Sequence, residues 1–273
     1  MALHCGSFQL DLSRPLVMGI VNVTPDSFSD GGRHLLRDAA VAHARQLILE
    51  GADILDIGGE STRPGAASVS VQEEIDRVLP VIEGLRGAAI PLSIDSCKPE
   101  VMRAALAAGV HMVNDIDALQ QPEALAAVLS SDAAVCLMHK QGTPQTMQQA
   151  PQYEDVVVEV MNFLRARVAQ VRAAGIAQER IVVDPGFGFG KTLAHNLTML
   201  RHLQEFSTLG VPVLAGLSRK SMLGAITGQD VDHRVHASVA AALLAVQRGA
   251  SIVRVHDVQA TCDALKVWSA VKL

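Results

Sequence analysis

The 273-residue chain is 49% hydrophobic and 19% charged, enough for one large core and short of two ordinary domains. Its 23 Lys and Arg against 28 Asp and Glu give a net charge of −5, and only 3% of residues are aromatic, which argues against the basic, stacking-rich surface of a nucleic-acid binder. No apolar stretch approaches the roughly 18 residues of a membrane-spanning helix, and the opening MALHCGSFQLDLSRP lacks a basic region leading into an apolar core, so a cytoplasmic location without a membrane partner is expected.

In chain order, short β-rich runs fall at Leu16 to Val21, Ile54 to Ile57, Leu92 to Ile94, Met112 to Asn114, Ala134 to Met138, Ile181 to Val183, Val213 to Ala215 and Ile252 to Val255. They are near-continuously apolar, the pattern of parallel strands covered on both faces. Between them the spacing turns helical. Val71, Ile75, Val78, Leu79, Ile82 and Leu85 form one stripe, and Val157, Val160, Met161, Leu164, Val168 and Val171 another that stops at Gly175. Val235, Val239, Ala242, Leu243 and Val246 make a third, ending at Gly249. Strand and helix alternate with no composition break, so residues 1–273 read as a single α/β domain. Eight such units fit a (β/α)8 TIM barrel, which needs about 250 residues; a doubly wound open sheet is the structural alternative. Cys5, Cys97, Cys136 and Cys262 are too scattered for a zinc pair or a disulfide scaffold and read as reduced thiols.

Each run ends in polar residues: Asn22; Asp56 before Gly58 and Gly59; Asp95; Asn114 and Asp115; His139; Asp184; Ser218, Arg219 and Lys220; and Arg254, His256 and Asp257. In a parallel barrel all these ends meet on one face, which makes them the candidate site. Asp95, Asn114 and Asp184 supply acceptors and an amide suited to the edge of an amino-pyrimidinone ring. Arg254 and His256 alternate about Val255 and so point the same way; buried together they call for an anion. Arg63, in the glycine-rich GGESTRPG, is suited to a phosphate. DPGFGFGKT, Asp184 to Thr192, fails the phosphate-loop spacing, because Pro185 stands where the motif needs glycine, and is expected to expose Phe187 and Phe189 at the barrel mouth. Asn22 offers an amide oxygen to Mg2+. Cys97 reads as packing, and His233 and His236 as a solvated helix face.

As a set, MGIVNVTPDSFSDGG, ADILDIGGESTRPGA, SIDSCKPEV, NDI, LMHKQGTP, DPGFGFGKT, HNL, LSRKSMLG and RVHDV, in this order from about residue 8 onward, resemble the dihydropteroate synthase family of the folate pathway. The resemblance implies a (β/α)8 barrel that joins 6-hydroxymethyl-7,8-dihydropterin pyrophosphate to 4-aminobenzoate, with pyrophosphate leaving through a cation-like intermediate and Mg2+ assisting. It implies pterin binding by Asp95, Asn114, Asp184 and Lys220, with Met138 and Arg254 sandwiching the ring. Asn22, Thr62, Arg63, Arg254 and His256 would hold the pyrophosphate and metal, with Asn22 on the metal. Phe28, Pro64, Phe189 and Ser218 would hold aminobenzoate. A homodimer and sensitivity to sulfonamides, which mimic aminobenzoate, are also implied. Lys140 and Asp117 depart from the family pattern, at peripheral positions. Two alternatives remain: a barrel that binds methyltetrahydrofolate for methyl transfer, against which STRPG, SRKS and RVHD speak, and a non-catalytic pterin-binding homologue.

Overall fold

The computed structural model describes residues 2–24, 33–61, 68–142, 147 and 150–271. After a short hairpin of β1 (Ala2–Cys5) and β2 (Phe8–Asp11), strands and helices alternate: β3 (Leu16–Asn22), α1 (Arg33–Leu49), β4 (Ile54–Gly58), α2 (Val71–Gly84), β5 (Leu92–Asp95), α3 (Pro99–Ala108), β6 (Met112–Asp115), α4 (Pro122–Leu129), β7 (Ala134–Met138) and α5 (Val156–Ala173). The chain continues through β8 (Ile181–Asp184), α6 (Leu193–Arg201), β9 (Leu214–Ala215), α7 (Ser221–Thr227), α8 (Val235–Gln247), β10 (Ile252–Val255) and α9 (Val258–Val271). Among the described residues the eight-stranded sheet is parallel and ordered β8-β7-β6-β5-β4-β3-β10-β9. Its two ends meet. Val183 of β8 bridges Val213 beside β9, and its N–H donates to Pro212 O at 3.0 Å, so the sheet closes into a TIM barrel and the open-sheet alternative falls.

Helix starts follow local chemistry. Ser70 caps α2 by accepting from Glu73 N, with Glu73 and Glu74 near the positive end of the helix dipole; Asp155 caps α5 by accepting from Val157 N and Val158 N. Pro99 and Pro122 open α3 and α4, where a missing N–H costs no hydrogen bond.

Strand parity splits the core in two. Val17, Val21, Leu55, Ile57, Ile94, Val113, Val135, Val183 and Val253 face outward into the cluster shared with the helices. Leu16, Met18, Ile54, Met112, Ala134, Cys136, Val182, Leu214 and Ile252 face inward and join Leu3 and Cys5 of the hairpin. The hairpin thus plugs the amino-terminal end of the barrel. Its signal, Leu3 and Cys5 then Phe8 and Leu10 across the two-residue turn Gly6-Ser7, is too short to stand out as a period.

Candidate active site

Two residues beyond the inward apolar layer, the same strand rows turn polar. Ile54 is followed by Asp56, Met112 by Asn114, Val182 by Asp184, and Ile252 by Arg254, while β7 stays apolar with Met138 after Cys136. Strand register sets Asn22 beside Gly58, Gly58 beside Asp95, and Asp95 beside Asn114. A Cβ on Gly216 would lie 3.9 Å from Arg254 Cβ, Asp184 Oδ2 and Lys220 Nζ alike, so strands far apart in sequence converge on one spot at the carboxyl-terminal mouth.

A buried ion network organises that spot. Arg254 Nε donates to Asp56 Oδ2 at 2.6 Å and its Nη2 to Asp95 Oδ2 at 2.6 Å, while Asn114 Nδ2 donates to Asp56 Oδ2 at 2.9 Å. Asp56 is fully buried, and its other oxygen has no partner among the described residues. This corrects the reading of Arg254 as a cation awaiting an anionic ligand, because two carboxylates of the barrel already compensate it. Asp56, noted only as a strand-end residue, is a central member of the site. Its inward parity with Ile54 was the available signal.

Asp184 Oδ1 accepts Gly186 N at 2.7 Å, closing a tight turn. Gly186 has φ +71, and a Cβ there would sit 1.8 Å from His139 O, so only glycine allows this approach. Phe187, expected at the mouth, is wholly buried in the helix-facing core; its carbonyl accepts from Lys220 Nζ. Phe189 is half-buried, with Lys220 Nζ 4.6 Å from its ring centroid. Lys191 does not present itself to a phosphate. Its buried Nζ lies 2.9 Å from His139 Nδ1 and donates to Gly186 O and Phe189 O, each at 3.0 Å, pinning the turn from within.

Ser218 Oγ lies 3.0 Å from His256 Nδ1 and accepts from His256 N at 3.2 Å, tying β9's loop to β10's. Arg219, between Ser218 and Lys220, has φ +57; its side chain pairs with Asp257, and Arg234 and Ser238 hold its carbonyl and N–H. Lys140 pairs with Asp117 at 2.5 Å, so the two departures from the family pattern are one local ion pair. Phe28, Thr62, Arg63 and Pro64 lie outside the described residues.

Burial shapes the charges. It raises the carboxyls of Asp184 and Asp95 above the usual range, with Lys220 and Arg254 respectively opposing the rise. It lowers Lys220 to about 8 against the pull of Asp184. Cys97, pushed up to about 12 by burial, is no thiolate nucleophile. The cluster therefore holds acceptors, an amide and cations in a partly desolvated mouth, equipped to read a flat heterocycle.

The family profile described as "Pterin binding enzyme" matches residues 18–256. Dihydropteroate synthase of Neisseria meningitidis serogroup C is 54% identical over 272 residues, covering 98% of this chain and 96% of the relative. The Xanthomonas albilineans dihydropteroate synthase solved with 4-aminobenzoic acid is 58% identical, with a TM-score of 0.93 and coverage of 99% of this chain and 97% of that one. The enzyme from the same organism in complex with 7,8-dihydropteroate is 55% identical, with a TM-score of 0.91 and coverage of 99% and 98%.

Proposed function

The chain belongs to the dihydropteroate synthase family of pterin-binding enzymes, and from that premise we infer that it condenses 6-hydroxymethyl-7,8-dihydropterin pyrophosphate with 4-aminobenzoate to give 7,8-dihydropteroate and pyrophosphate. The observation that carries this reading is the Asp56–Arg254–Asp95 network with Asn114, Asp184 and Lys220 at the barrel mouth.

In the reaction the C–O bond between the pterin methylene and the pyrophosphate breaks, and a C–N bond to the aromatic amine forms as the amine gives up a proton. Asp184, Asp95 and Asn114 hold the N–H edge of the ring, and Lys220, aimed by the Phe187 carbonyl, donates to its carbonyl side. Met138 lies against a ring face, alongside Arg254. Asp56 holds Arg254 and Asn114 in place, so neither reorganises when charge develops at the methylene. The carboxylates offset positive charge on the pterin; His256, braced by Ser218, and Arg63 with Thr62 meet the departing anion. Phe28, Pro64, Phe189 and Ser218 orient the aminobenzoate. The aromatic amine is unprotonated near neutral pH, so alignment rather than a general base lowers the remaining barrier.

Among the described residues no three His, Cys, Asp or Glu side chains group as a metal site. Asn22, inward at the end of β3, offers one neutral amide oxygen, a donor set that fits Mg2+ carried in by the pyrophosphate with phosphate and water completing its shell. When bound, that ion supplies positive charge at the leaving group. No helix among the described residues is long and apolar enough to cross a membrane. The homodimer that the family resemblance implies would have exposed apolar side chains to cover at Ile226, Leu244 and Val267, on α7, α8 and α9.

The test is to mix the protein with Mg2+, the dihydropterin pyrophosphate and 4-aminobenzoate and to follow dihydropteroate by mass spectrometry. Product formation is expected. Binding of the pterin without product would leave a non-catalytic homologue, and methyl transfer from methyltetrahydrofolate would establish the alternative barrel chemistry.

A further inference from the structure

The turn from Gly186 to Gly190 lies against the chain leaving β7, and glycine lets the two backbones touch. A Cβ on Gly186 would sit 1.8 Å from His139 O, and one on Gly190 would sit 2.4 Å from Gln141 O. A single amine joins the two sides. Lys191 Nζ donates to Gly186 O and Phe189 O, each at 3.0 Å, and lies 2.9 Å from His139 Nδ1. Phe189 N–H donates to Gly186 O at 3.1 Å, so Lys191 holds both residues of the turn's own hydrogen bond. Outside it, Tyr153 Oη donates to Gly190 O at 2.8 Å and Gly188 N–H donates to Asn196 Oδ1 at 2.7 Å.

A lysine is a costly way to close a turn. Lys191 is buried, and its hydrogen-bond partners among the described residues are all neutral, so no counter-ion in contact offsets its desolvation. Burial lowers Lys191 to about 7 and His139 to about 3. The imidazole is therefore neutral, and its Nδ1 accepts from an ammonium or donates to a free amine. In either state Lys191 keeps hydrogens for both carbonyls. What the bracket fixes is Phe189, whose ring reaches the mouth 4.6 Å from Lys220 Nζ. Phe187 is held by core packing instead and keeps its carbonyl on Lys220 without help from Lys191.

We propose that Lys191 is a positioning residue for the transfer reaction, gripping the Gly186 and Phe189 carbonyls from beneath the turn so that the Phe189 ring is presented to aminobenzoate in one place. The proposal rests on the reaction assigned above. It separates two functions: the ring-binding side chains on the strands do not depend on Lys191, whereas Phe189 does.

The test is a double-mutant cycle of Lys191→Met with Phe189→Ala, read in kcat/KM for 4-aminobenzoate. Lys191→Met alone should lose about tenfold or more, and in the Phe189→Ala background it should cost no more than about twofold further. Calorimetric affinity for 6-hydroxymethylpterin should stay within about twofold. Hydrogen exchange at Phe189 N–H should quicken by about tenfold or more. If Lys191→Met does not fold, Lys191→Gln, whose amide still reaches for one carbonyl, takes its place in the cycle with the same pattern expected. Wild-type kcat/KM in a folded variant would overturn the proposal. So would a tenfold loss that persists without the Phe189 ring, or a parallel loss of pterin affinity, since a merely structural lysine gives both. If the wild-type protein makes no dihydropteroate, the reaction assignment fails; Phe189 exchange then decides the bracket alone, and unchanged exchange refutes it.

Discussion

The inward rows of the barrel carry two chemistries one pleat apart. Toward the amino-terminal end, Met18, Ile54, Met112, Val182 and Ile252 close over Leu3 and Cys5 of the hairpin in an apolar layer. Toward the other end the same strands present Asp56, Asn114, Asp184 and Arg254. Backbone and parity are shared, so the difference lies in what each layer faces: packed side chains below, a mouth above. The lower layer contributes transfer free energy to the fold, whereas the upper one incurs desolvation that only internal pairing or a ligand offsets.

The sharpest way to break this division is Arg254→Ala, since Arg254 belongs to both sides of the ledger. Removing it should lower kcat/KM by about a thousandfold, ~4 kcal/mol of transition-state stabilisation, and should also destabilise the fold by about 3–5 kcal/mol, because Asp56 and Asp95 lose their buried counter-ion. Steady-state kinetics with urea unfolding measures both. Met112→Ala, in the lower layer, should cost about 2–5 kcal/mol of stability by leaving a cavity, with KM for either substrate unchanged at temperatures where the variant is folded.

A pH experiment sharpens the comparison further. Burial lowers Lys220 from 10.5 to about 8. Its stabilising contribution is thus present above pH 10.5 and lost as pH falls through about 8. Without substrate, the wild type should lose stability relative to Lys220→Met across that window, and pterin binding should return some of it. Equal pH profiles for the two proteins would mean that Lys220 pays no desolvation cost. The smallest effect on turnover belongs to the Lys140–Asp117 pair: Lys140→Ala should leave kcat unchanged while costing about 1–3 kcal/mol of stability, since it strands the mostly buried Asp117 carboxylate.

Much of this division was legible in the sequence. Continuous apolar runs marked the eight barrel strands to within a residue or two, and their polar ends named Asp95, Asn114, Asp184, Lys220 and Arg254 before any fold was known. Closure was not legible, because it hangs on one bridge, Val183 to Val213, between strands whose runs look like the rest. The hairpin escaped because strands of four residues leave little periodicity. Phe187 misled for a different reason: the turn that leaves Phe189 half-buried wholly buries its neighbour two residues back, and local composition does not say which side of a glycine turn faces in. The role of Asp56 follows from parity plus the reach of Arg254 from a strand 198 residues away, which no local pattern encodes.

The central claim is that recognition resides in the upper inward layer and stability in the lower. Strand β8 tests it within three residues, by titrating 6-hydroxymethylpterin calorimetrically into Val182→Ala and Asp184→Asn. The account predicts near wild-type affinity for Val182→Ala with a lowered unfolding midpoint, and a loss of about ten- to a hundredfold for Asp184→Asn with the midpoint kept. Unchanged affinity in Asp184→Asn, or lost affinity in folded Val182→Ala, would contradict it.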